Sequence, residues 1–180
     1  MRQLNALTIS IGVLGGVATL MTATILPVPV WVIFIAWASF FILGGGTDGM
    51  VHSIASNLTG IAIASLTLLV IHLLGGGTAV AAIAVGMGSA AMVQASRIGL
   101  LSKIPAIVWG FASTVGTVAA TGHGITTASI NNPALVAALS MVLGAVFGIA
   151  SQYWGDAMTA RPVKESTSLP ATEPIAEGQS

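Results

Sequence analysis

The chain has 180 residues and a mass of 18.0 kDa, with 55% hydrophobic residues, 6% charged residues and a mean hydropathy of +0.98. A water-soluble domain carries roughly a quarter charged residues, so this composition excludes a soluble globule and leaves an integral membrane protein. The formal net charge of zero gives no reason to expect nucleic acid as a partner, and the absence of Cys removes disulfides, thiolate metal sites and thiol catalysis.

A helix crossing hydrocarbon about 30 Å thick needs roughly 20 apolar residues, and runs of that kind end at Pro, Gly or charge. Six spans are predicted on this basis, forming an all-α bundle. The first runs from Leu4 to Leu26 and is closed by Pro27 and Pro29. The second, Val30 to Leu43, is short and ends in Gly44-Gly45-Gly46. The third covers Gly49 to Leu74, before Gly75-Gly76-Gly77, and the fourth covers Thr78 to Ser96. The fifth extends from Ser102 to Thr121, and the sixth from Pro133 to Met158 with Asn132 placed to cap it. The first span reads as a retained helix and not as a cleaved signal, because its apolar stretch exceeds a signal h-region and no polar mature chain follows. After Ala160 the composition turns Ser-, Thr-, Pro- and Glu-rich, so the sequence divides into a transmembrane domain at 1–160 and a disordered cytoplasmic tail at 161–180.

Basic residues test the threading independently, because Lys and Arg favour the cytoplasmic side. All five fall at three places: Arg2, then Arg97 and Lys103, then Arg161 and Lys164. Six crossings put these three places on one face, so both termini are expected in the cytoplasm.

Lipid gives helices no hydrophobic reason to associate, so close packing through small residues takes over. Gly12 and Gly16 form one GxxxG, Gly144 and Gly148 another, and Gly86 and Gly88 sit among alanines in span four. Such motifs serve packing within one chain or between copies, and their number here points to a homo-oligomer in the bilayer.

Two spans carry polar faces. In span three Asp48, His52 and Ser56 recur every four residues, with Ser53 and Asn57 on the adjacent edge, so the stripe faces other helices or a water-filled path. The structural alternative is that Asp48 only caps the helix and His52 bonds a neighbour. In span five Ser113, Thr117 and Thr121 repeat at the same interval within a stretch of small residues, where hydroxyls could replace the waters of a passing solute. Thr114-Val115-Gly116-Thr117 lacks the aromatic and second glycine of a potassium-filter loop, and its likeness to one is read as chance.

His72 and His123 fall at the outer ends of spans three and five, where they suit interfacial hydrogen bonds or a mouth. Trp31 and Trp154 suit the interface belt, while Trp37 and Trp109 lie deeper. No metal-ligand set, nucleophile triad, paired carboxylates, phosphate loop or cofactor motif can be assembled, and the glycine triplets lack the Lys and Ser/Thr of a phosphate loop. No cofactor, no metal and no enzymatic activity are expected.

Three stretches carry a family likeness: the Trp-containing second span closed by Gly44-Gly45-Gly46, the Leu101-Ser102-Lys103-Ile104-Pro105 approach to span five, and Leu143-Gly144-Ala145-Val146-Phe147-Gly148 in span six. Through them the chain resembles a family of bacterial inner-membrane proteins catalogued as domain of unknown function 1097, over about Leu4 to Met158. The resemblance implies a bacterial inner-membrane location and transfers no activity or functional residues. The reading of the residues themselves is a permease or channel subunit for a small neutral or weakly charged solute, its path formed by Asp48, His52, Ser56, Asn57, Ser113, Thr117 and Thr121. The alternative is a non-transporting membrane scaffold or accessory subunit, with an intramembrane enzyme a distant third.

Overall fold

The computed structural model describes residues 2–159, all of whose regular structure is helical. Six α-helices follow in order: α1 Gln3–Thr24, α2 Val30–Ile42, α3 Gly46–Leu73, α4 Thr78–Ala95, α5 Ile104–Thr121 and α6 Pro133–Thr159, with a single 3-10 turn, Gly99–Leu101, ahead of α5. The expected tail, with Arg161 and Lys164, lies outside the described residues.

Five of the helices are long and apolar enough to cross a membrane. The exception is α2, whose 13 residues span about 20 Å, short of the roughly 30 Å of hydrocarbon that a full crossing requires. What α2 lacks in length it makes up in burial. Val32, Ile33, Ala36, Trp37, Ser39 and Phe40 are all buried, so α2 is held by protein along its length, while of its flanks Val28 is buried and Pro27 and Gly44 are exposed.

Side-chain contacts fix the directions. Gly144 lies against the Ile33 carbonyl, Gly148 against Phe40, and Gln152 Oε1 accepts from the Gly46 amide at 2.7 Å, so α2 runs alongside α6 in the same direction, and the Trp37 indole Nε1 ties the two by donating to Ser151 Oγ at 3.0 Å. Ala18 and Val28 cluster with Ile33 and Val136, while Gly155 faces Leu7, so α1 runs against α6. His52 Nδ1 lies 2.9 Å from the Leu100 carbonyl at the start of the α3–α5 pair, and a shared cavity joins Leu68 and His72 to Val118 at its far end, so these two helices are parallel. One end of the bundle therefore collects the start of α1, the Gly44–Gly46 turn, the 97–103 connection and the end of α6. Arg2, Asp48, Arg97, Lys103 and Asp156 all lie at this end and are exposed.

The glycine triplets are what allow such abrupt reversals. Gly44, Gly45 and Gly46 all have positive φ, as do Gly75, Gly76 and Gly77, a succession that residues with a Cβ rarely adopt. α3 consequently begins one turn earlier than the sequence suggested. Its first amide is capped across the bundle by Gln152, and no side chain caps it from its own chain segment, so the reading of Asp48 as a cap is corrected. At α6, by contrast, Asn132 Oδ1 accepts from the Ala134 amide at 2.9 Å while its Nδ2 holds the Ile125 and Thr127 carbonyls.

Candidate functional site

The interior is organised around the contact of α3 and α5. Small residues at every fourth position, Ser56, Gly60 and Ala64 on α3 and Ala106, Gly110 and Thr114 on α5, let the two backbones touch. A Cβ on Gly60 would collide with the Ile107 carbonyl oxygen, and one on Gly110 would collide with that of Asn57. The contact is reciprocal: the same three-residue step, Asn57 to Gly60 and Ile107 to Gly110, appears on both helices. It places α3 and α5 in a local two-fold relation about an axis running along the bundle.

Polar side chains gather on both sides of this contact. Ser53, Ser56, Asn57, Ser113 and Thr117 are all at 0% exposure. Toward the charged end, Ser53 donates to Ser39 Oγ at 2.9 Å, Ser39 donates to Asn57 Oδ1 at 3.4 Å, and Asn57 Nδ2 donates to Ser53 Oγ at 3.2 Å. Each hydroxyl in this ring gives one hydrogen bond and accepts one, so the ring closes on itself and ties α2 to α3. On α5, Thr114 and Thr117 donate to the Gly110 and Ser113 carbonyls one turn back, at 3.0 and 2.7 Å. Ser140 on α6 does the same with Val136 at 2.8 Å.

Two groups stand apart. Among the described residues, the buried hydroxyls of Ser56 and Ser113 have no hydrogen-bond partner. By helical rise, Ser56 sits about 4 Å from the centre of the α3–α5 contact toward the charged end, and Ser113 about 7 Å toward the other. An unpaired buried hydroxyl costs about 1–3 kcal/mol, and alanine at either position would avoid that cost.

The expected stripe on α3 thus divides. Ser56 and Asn57 are buried in the seam, whereas Asp48 is exposed and His52 is partly exposed at the end of the bundle. A carbonyl can only accept, so in this contact His52 Nδ1 is the donor toward Leu100. On α5, Ser113 and Thr117 enter the interior, while Thr121 is exposed at the last turn, where its hydroxyl donates to the Thr117 carbonyl and accepts from the His123 amide. That placement removes Thr121 from the interior seam.

The glycine motifs divide as well. A Cβ on Gly144 would meet the Ile33 carbonyl and Ala36, and one on Gly148 would come within 2.6 Å of the Phe40 ring, so both lie where α6 receives α2. Gly12, Gly16 and Gly86 have nothing within 4 Å of a Cβ, so none of them packs a helix of this chain against another. Gly88 faces Thr67 and Phe111. Among the described residues no group of three or more His, Asp or Glu side chains converges, so none could hold a metal ion with protein ligands alone.

Sequence reasoning missed Ser39, Gln152 and the Gly60–Gly110 contact. The last had a signal, since small residues at four-residue spacing flank both glycines without forming a GxxxG. Ser39 had a fainter one, as a lone hydroxyl among aromatic residues. The sequence model of the family described as a protein of unknown function (DUF1097) matches residues 8–156. No curated protein and no solved structure matches the chain.

Proposed function

Since the chain belongs to the DUF1097 family, which lends it no activity, we propose from its geometry that it is an inner-membrane permease or channel subunit for a small neutral or weakly charged solute. It works without a cofactor or a chemical step, and its path follows the α3–α5 seam. The observation that carries this reading is the pair of buried, unpartnered hydroxyls, Ser56 and Ser113, one on each side of the helix contact. Polar groups inside a membrane are costly, and these two carry a cost that no internal hydrogen bond offsets. A passing solute supplies the missing partners. The described conformation is the closed one, with the Gly60–Gly110 contact across the path.

The same reading threads the chain six times through a bacterial inner membrane with both termini in the cytoplasm. It is supported by Arg2, Arg97 and Lys103 gathering at one end of the bundle, and by α2 running parallel to α6 despite its shortness. Copies associate through α1, where Gly12 and Gly16 face away from the chain's own helices.

A scaffold or accessory subunit is the second reading, favoured by the ring of Ser39, Ser53 and Asn57, which satisfies itself and holds helix to helix. Osmotic swelling of proteoliposomes with urea, glycerol and methylammonium separates the two. A permease admits at least one of these faster than protein-free vesicles; a scaffold admits none.

A further inference from the structure

At the end of the bundle away from the charged residues, a cavity of about 440 Å³ opens between the last turns of α3 and α5. That volume lies within the range of small-molecule pockets. Its walls are apolar, from Leu68, Ile71, Val118 and Ile125, and the glycines of the following turns leave backbone exposed. His72 is the one side chain on the wall that can hydrogen-bond, and no carboxylate, Lys or Arg lines it. Val118, on the wall, lies five residues from Ser113, about 7.5 Å along α5.

We propose that this cavity is the solute-binding mouth of the path, that His72 is its hydrogen-bonding side chain, and that it takes small uncharged molecules carrying both donors and acceptors. The proposal rests on the permease reading and narrows it. The mouth is open, with His72 exposed and none of the wall residues buried, and it offers no fixed charge to draw an ion in, whereas an uncharged polar molecule finds an imidazole and open backbone to hydrogen-bond. An imidazole offers two ring nitrogens for hydrogen bonding, which suits a solute with several polar groups. From the cavity the next unsatisfied group is Ser113, and beyond the Gly60–Gly110 contact it is Ser56. The route is then a mouth, two half-sites and a closed point between them, built on a single pair of parallel helices.

The chain has no native cysteine, so a single introduced thiol reports this mouth alone. Ile125→Cys, and separately Leu68→Cys in case one of them folds poorly, are reconstituted and treated on both faces with a bulky charged methanethiosulfonate. Urea and glycerol swelling is compared before and after treatment. Labelling should remove most of the flux, and either solute present during labelling should slow the modification. His72→Leu should lower urea flux several-fold while His72→Gln, which keeps a donor and an acceptor, retains most of it; methylammonium should enter no faster than through protein-free vesicles. Complete labelling with unchanged urea flux would overturn the mouth and leave the permease standing, as would folded variants that do not label. Absence of flux in the unmodified protein would remove the permease reading and the mouth with it.

Discussion

Asp48 and Asn57 are nine residues apart on one helix, yet they answer to different physics. Asp48 is exposed in the first turn of α3, where a carboxylate opposes the helix dipole by roughly 0.3–1 kcal/mol. Gln152 already supplies the cap there, so Asp48→Asn should lower the melting temperature only slightly. If its charge attracts or orients solute at the charged end, the same substitution should reduce flux, and normal flux would confine Asp48 to the dipole. Asn57 is buried within the Ser39–Ser53 ring, and Asn57→Ala leaves two hydroxyls short of partners. The expected cost is about 1–3 kcal/mol, read as a lower melting temperature in detergent, and an unchanged melting temperature would mean the ring adds nothing to stability. The sequence showed which polar residues share a face of α3. It could not show that the face meets Ser39, because that contact depends on how α2 is laid against it.

At the scale of elements, glycine context separates residues that look alike in sequence. Gly60 and Gly110 touch backbone that cannot swing aside, so Gly60→Ala or Gly110→Ala should destabilise by about 3 kcal/mol or more and sharply reduce folded yield. Gly144→Leu and Gly148→Leu should fail similarly, because α2 occupies the space. Gly12→Ala and Gly16→Ala should leave the fold of the single chain unchanged or stabilise it by up to about 1 kcal/mol, since alanine is the better helix former and no atom of this chain stands in its way. If α1 mediates association between copies, Gly12→Leu and Gly16→Leu should instead shift the detergent-solubilised particle to smaller mass with the fold intact. Equal yields for all of these variants would contradict the packing described. Helix limits were legible from sequence to within a turn because Pro, Gly and Asn punctuate the apolar runs. The burial of α2 was not, since a run of aromatic and β-branched residues reads the same whether lipid or protein surrounds it.

For the whole molecule, the composition alone pointed to helices long and apolar enough to cross a membrane, and the spacing of Arg2, Arg97 and Lys103 predicted that these three gather at one end of the bundle. The polar interior was only half legible: periodicity put hydroxyls on α3 and α5, but which of them lack partners is a property of packing. The six-crossing thread is tested by reporters fused after Ser129 and after Thr159, which should report opposite sides of the membrane; a shared side would remove it. The central claim is that Ser56 and Ser113 are kept for a solute and not for the fold. Replacing an unpaired buried hydroxyl by alanine should leave stability unchanged or raise it by about 1 kcal/mol, while removing the partner a solute needs. The most direct measurement is therefore urea and glycerol flux, together with melting temperature, for the Ser56→Ala/Ser113→Ala double variant. The account predicts an equal or higher melting temperature with flux reduced several-fold, and it is contradicted by a double variant that transports as the unmodified protein does.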